Sequence, residues 1–189
     1  LTLNGDINDY SSATQTLNLS ITNVGNTIHI NGNNNMTIGG GIAGTGGLED
    51  DISASTLVLT GTNSFTGGIN ITPGSQDGTL QIGDAGLLGG TNGIYAGNIT
   101  NNNVFQYSSS ATQTLSGVIS SFGDVIKDGA GKLILAGNNS YTGNTYISNG
   151  VLQVTGTLIT DAINNRYTHN IVDNGTLQWS SSAAQNLSG

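Results

Sequence analysis

The sequence repeats itself, and the spacing of the repeats governs what it can fold into. The string YSSSATQTLSG at residues 107–117 returns as WSSSAAQNLSG at 179–189, so Gly189 lies 72 positions beyond Gly117. A second unit, TLVLTGTNSFTGGINITPG at 56–74, returns as KLILAGNNSYTGNTYISNG at 132–150, now at a spacing of 76. Four extra residues at 75–78 bring Leu80 and Leu152 back to 72, and a short YSSATQTL opens at Tyr10. Two long copies therefore cover 48–117 and 124–189, behind a divergent opening at 1–47. Units repeated in this way bury their apolar face on a neighbour rather than on themselves, which makes 1–189 a single solenoid segment.

Within each copy the apolar residues alternate with period two. Leu133 and Leu135, Ile147, then Leu152 and Val154 are separated by Asn/Gly-rich turns, the pattern of short half-buried strands. A sandwich needs hairpins that reverse the chain, whereas a parallel coil advances ~4.8 Å per turn and sets like on like. The reading is an all-β parallel β-helix of about eight rungs, on ~20–25 residues per rung. On that reading Asn63 aligns with Asn138 and Asn139 as a polar ladder, and Phe65 with Tyr141 as an aromatic stack.

Composition removes other classes. Lys+Arg number 3 against 11 Asp+Glu, a net charge of -8, too few cations to follow a phosphate backbone. No apolar run approaches the ~20 residues of a membrane helix, so neither nucleic acid nor membrane insertion is expected of this segment. Leu, Ile, Val and Phe together make 47 of 189 residues, enough to fold. Zero cysteines exclude a disulfide framework. The opening LTLNGDINDY shows no signal peptide and reads as a piece of a longer polypeptide.

The string GAGKLILAGNNSYTGNTYISNGVLQV at 129–154 resembles the passenger-associated transport repeat of autotransporter passenger domains, with the pattern GxGxLxLxGxNxYTGxTxIxxGxLxV. The matches are Gly129, Gly131, Leu133, Leu135, Gly137, Asn139, Tyr141, Thr142, Gly143, Thr145, Ile147, Gly150, Leu152 and Val154. The copy at 56–82 is degenerate: Ser53 and Ser55 replace the leading glycines, and Ile69 replaces the second Thr. The resemblance implies a right-handed coil, exported by type V secretion and displayed or released at a Gram-negative cell surface. It implies flanking passenger rungs and a C-terminal translocator barrel as partners in the parent chain. It also implies a structural stalk that supports secretion, folding and adhesion or biofilm contact. A module binding glycans, a host surface or like rods is the alternative; a polysaccharide-active enzyme is third.

Candidate chemistry is sparse, and the expectation is no catalytic residue and no cofactor. Lys127, Lys132 and Arg166 are the whole basic supply, and Lys127 beside Asp128 reads as a surface pair at a strand end. Glu49, Asp50 and Asp51 are the densest acidic cluster, a weak calcium candidate set against a solvated loop. His29 and His169 lack partners at metal-ligand spacing. The glycines from Gly39 to Gly47 read as a loop or rung corner, since no βαβ unit or Walker lysine accompanies them. The serines at 108–110 and 180–182 lie in no hydrolase motif. The Thr-x-Thr pairs are too irregularly spaced for an ice-binding array. Tyr10, Tyr107 and Trp179 precede the serine strings, as a packing row or a glycan-stacking row.

Overall fold

The computed structural model describes residues 1–72 and 78–189, and in it the chain is an all-β parallel solenoid of about nine turns. The proposed insertion at 75–78 therefore lies, except for Gly78, outside the described residues. One side of the coil is an eight-stranded sheet running without interruption from Gln15–Leu17 to Ile171–Asp173. A second side is a six-stranded sheet from Ile7–Asp9 to Ile119–Ser120. The third side is broken: a three-stranded sheet starting at Thr2–Leu3 and a pair of Thr62–Asn63 with Leu87–Leu88 precede a five-stranded sheet from Ile94–Tyr95 to Thr176–Trp179. A 3₁₀ turn at Gly90–Asn92 marks the break.

The period-two pattern explains the core. In Thr56–Leu59, Thr79–Ile82 and Val104–Tyr107 alternate residues are buried, because successive side chains of a strand point to opposite faces. Register stacks the inward residues in columns, Met36 on Leu57, Leu57 on Leu80, Leu80 on Phe105 and Phe105 on Val125. Each such aliphatic side chain contributes about 1.5–3 kcal/mol by leaving water.

The turns are shorter than the upper end of the expected range, so there are nine rather than eight. Gln15 pairs with Met36 and Met36 with Leu57, 21 residues apart each time, and Phe105 with Val125, 20 apart. The longest step, Ile69 to Ile99, takes 30, and that from Thr145 to Ile171 takes 26. The latter accommodates an excursion closed by an antiparallel bridge between Asp161 and Arg166.

Candidate functional site

The repeated motif builds the same small device twice. Asn63 and Asn139 are both buried. The Oδ1 of Asn63 accepts the Ile42 N–H of the preceding turn at 3.1 Å, while its Nδ2 donates to Gly61 O at 2.9 Å and to Leu87 O of the following turn at 3.1 Å. Asn139 repeats each bond: Ile119 N–H at 2.9 Å, Gly137 O at 2.9 Å and Thr157 O at 3.3 Å. One side chain thus clasps three consecutive turns and satisfies backbone groups at a corner where the ladders are interrupted.

Two residues on, the motif aromatic enters the core. Phe65 meets Tyr95 of the next turn edge-on, with centroids 5.6 Å apart; Tyr141 meets Tyr167 in the same way at 5.9 Å. The Tyr95 hydroxyl donates to Gly67 O, and the Tyr167 hydroxyl donates to Gly143 O at 2.8 Å. In the second copy Thr145 joins in, 2.8 Å from the Tyr141 hydroxyl and 3.1 Å from that of Tyr167. Because Tyr167 spends its proton on Gly143, the bonds run from Tyr141 to Thr145 to Tyr167 to the Gly143 carbonyl. Burial raises both tyrosine pKa values, so the hydroxyls stay protonated as the chain of bonds requires.

The remaining motif residues divide between core and corner. Leu133, Leu135, Ile147, Leu152 and Val154 are buried. Thr142 is exposed, and its N–H donates to Ser121 O at 2.7 Å. Gly129, Gly131, Gly137 and Gly143 press on backbone of the preceding turn, where a Cβ would collide, and Gly150 has φ +68°. Gly40, Gly41 and Gly46 are likewise rung corners pressed on neighbouring backbone. The serine strings also repeat a role: Ser109 Oγ accepts the Ala111 N–H and Ser181 Oγ the Ala183 N–H. Gln113 and Gln185 accept the N–H of Leu88 and Leu158.

The two copies do not align along the rod, contrary to the sequence reading. Thr56–Leu59 belongs to the eight-stranded sheet, but Lys132–Leu135 belongs to the five-stranded one. Ile69–Ile71 lies in the six-stranded sheet and Thr145–Ile147 in the eight-stranded one. The second copy is therefore rotated by one side of the coil, because the repeat spans three turns and one further side. Asn63 consequently stacks on Leu88 and Asn139 on Leu158, not on each other, and neither Phe65 nor Tyr141 reaches the other.

Three expectations about charged and aromatic residues are also corrected. Lys127 is not at the surface but fully buried, stacked on Tyr107 and beneath Ile147. Its ammonium donates to Gly129 O and to Asn149 O at 3.1 Å, and stands 5.7 Å from the Tyr107 ring centroid. Burial lowers its pKa, against an opposing contribution from Asp128. Asp128 itself accepts from Gln106 and Ser108 at 2.7 and 2.6 Å. The tyrosine row also dissolves, since Tyr107 lies in the eight-stranded sheet in register with Lys127, Trp179 lies in the five-stranded sheet in register with Val154, and Tyr10 lies in a corner after Ile7–Asp9.

Glu49, Asp50 and Asp51 form no solvated loop. They lie in the strand Leu48–Ile52, so Asp50 points inward while its neighbours point out, and three carboxylates on alternate faces do not converge on one cation. Glu49 faces His29 at 3.5 Å and Asp51 accepts from Thr72 at 2.6 Å. Asp50 is pushed up to about 7, chiefly by burial. Its Oδ1 accepts the Ile52 N–H at 3.2 Å and its Oδ2 is buried with no hydrogen-bond partner among the described residues. Elsewhere Arg166 lies 3.6 Å from Asp161, and the His169 ring packs on Tyr167.

Tyr95 and Tyr167 escaped the sequence reading although a signal exists. Tyr-x-x-Asn-Ile occurs at 95–99 and again at 167–171, at the same spacing of 72 as the serine strings.

The family model described as passenger-associated-transport-repeat matches residues 53–75 and 125–154, which hold Asn63 and Asn139. The chain is 36% identical over 121 residues to the protein described as adhesin BmaC autotransporter, from Brucella suis biovar 1 (strain 1330). That alignment covers 54% of this chain and only 3% of the relative's length. No solved structure matches.

Proposed function

We propose that this autotransporter passenger segment, homologous to an adhesin, is a non-enzymatic stalk that supports passenger folding during export and carries adhesive surface away from the cell. The observation that carries this reading is the pair of asparagine clasps. Each needs an N–H from the turn on one side and a carbonyl from the turn on the other. A coil held in this way grows by adding turns to a finished edge, and solenoids fold by such nearest-neighbour propagation. Growth from an edge suits a chain that emerges gradually, and the same side chains that complete one turn prepare the next.

The polar groups of the motif are engaged within the rod. Asn63, Asn139, Tyr141, Thr145 and Tyr167 spend their hydrogen bonds on their own and neighbouring turns, which supports a structural role for the motif and leaves contact with a partner to the outer surface. The test is Asn139→Ala in the full passenger displayed on cells, with surface exposure and adherence measured separately. The stalk reading expects less displayed passenger and unchanged adherence per displayed molecule. Full display with lost adherence would overturn it in favour of a motif that itself binds.

A further inference from the structure

Ten residues are aromatic, and six of them, Phe65, Tyr95, Phe105, Tyr107, Tyr141 and Tyr167, are buried in the core. Of the other four, Tyr146 is half-buried and Trp179 is in register with Val154 in the last strand of its sheet, which leaves two exposed rings in corners of the coil: Tyr10, in the first turn, and Phe122, 59% exposed in mid-rod. Tyr10 falls between Ile7–Asp9 and Gln15–Leu17, and Phe122 between Ile119–Ser120 and Asp124–Lys127. Each therefore follows a strand of the six-stranded sheet and precedes one of the eight-stranded sheet, so both stand on the same edge of the rod. Five turns separate them, about 24 Å along the axis.

Each ring lines a groove built of amides and carboxylate. Tyr10 shares a groove of about 270 Å³ with Asn8, Asn31, Asn33 and Asp51. Phe122 shares one of about 290 Å³ with Asn102, Asn103 and Asp124. These polar groups are held in place from the rod side. Asn31 donates to Asn8 at 3.0 Å, Thr72 to Asp51 at 2.6 Å, Asn102 to Ile71 O at 3.0 Å, and the Asn144 N–H to Asp124 at 2.7 Å. Fixed donors and acceptors lose little entropy when a ligand arrives.

We propose that this edge binds an uncharged polysaccharide laid along the rod, with Tyr10 and Phe122 as stacking platforms in two grooves on the same edge. A single flat ring beside fixed amides matches a sugar, whose apolar face packs on the ring while its hydroxyls exchange hydrogen bonds with Asn and Asp. One exposed ring per groove is too little apolar surface for a protein docking patch. Grooves repeated along one axis suit a linear polymer. The charge sets the class, because a chain of net charge -8 with Asp51 and Asp124 in the grooves repels sulfated or uronic polymers. The proposal rests on the reading of this segment as an outward-facing part of a surface rod.

The test uses the purified 189-residue chain titrated with cellohexaose, maltohexaose and mannohexaose, with chondroitin sulfate as the anionic comparison, followed by calorimetry. At least one neutral hexasaccharide is expected to bind, with Tyr10→Ala and Phe122→Ala each weakening it about tenfold. Circular dichroism of both variants is expected to match the parent, since neither ring is in the core. The proposal is overturned if no neutral hexasaccharide binds, if the double variant binds as well as the parent, or if chondroitin sulfate binds equally. Failure here leaves passenger display untouched, whereas failure of the stalk reading appears as normal display of Asn139→Ala.

Discussion

The first copy of the motif, at 56–72, and the second, at 132–150, make the same hydrogen bonds on different sides of the coil. Asn63 and Asn139 have equivalent partners, and Phe65 and Tyr141 meet equivalent tyrosines at nearly the same angle, 67° and 66°. The lesson is that the motif specifies a corner and its clasp, not a position around the rod. Rotation is tolerated because every side of a parallel solenoid offers the same ladder of unpaired groups at a corner.

The copies differ in two instructive ways. Where the second has Tyr141 bonded to Thr145, the first has Phe65 and Ile69, so hydroxyls are present together or absent together. The second difference is the ion beneath the motif isoleucine. Asp50 is in register with Ile71, whereas Lys127 is in register with Ile147. The lysine is satisfied by two carbonyls and a ring, while the aspartate keeps one oxygen without a partner among the described residues.

The largest effects should come from the aromatics. Phe65→Ala and Tyr141→Ala are each expected to cost about 4 kcal/mol in urea unfolding, and a large inequality between them would break the equivalence of the two copies.

Next comes the buried aspartate. Its pKa is raised in the folded chain, from 3.8 to about 7, so the folded state holds the proton more tightly than the unfolded one. The associated stability is present below about pH 4 and is lost as the pH rises through about 7. The loss should be about 4 kcal/mol, and Asp50→Asn should remove it in unfolding measured across pH. Lys127 has a lowered pKa, so its slope has the opposite sign: stability gained as pH rises through its folded pKa, with the gain absent in Lys127→Met.

Truncating a clasp is a smaller change. Asn63→Ala and Asn139→Ala each strand an N–H and two carbonyls, for a loss of roughly 2 kcal/mol. The smallest effect sharpens the contrast in hydroxyls. Ile69→Thr alone should destabilise the first copy, and Phe65→Tyr added to it should recover about 1 kcal/mol of coupling in a double-mutant cycle.

Much of the architecture was legible in the sequence. Alternation of Leu57 with Leu59 and of Leu133 with Leu135 announces strands, and Asn/Gly turns at close spacing announce a coil. The rotation was hidden, because it depends on the ratio of repeat length to turn length, and the turn varies from 19 to 30 residues. Lys127 misled for a local reason. Adjacent to Asp128 it resembles a solvated pair, yet alternation along Asp124–Lys127 sends it inward with Val125, and only the Gly129 and Asn149 carbonyls make that tolerable. Tyr95 and Tyr167 were legible in principle, since they share the spacing of 72. The exposed edge with Tyr10 and Phe122 was not, because those rings lie in turns of unequal sequence brought to one line by register alone.

The most direct measurement is amide hydrogen exchange at Ile42 and Ile119, the two N–H groups held by the clasps. If the motif specifies a local clasp, both amides exchange slowly, Asn63→Ala exposes only Ile42, and Asn139→Ala exposes only Ile119. Unchanged protection of Ile119 in Asn139→Ala, or loss at both sites from either variant, would contradict it.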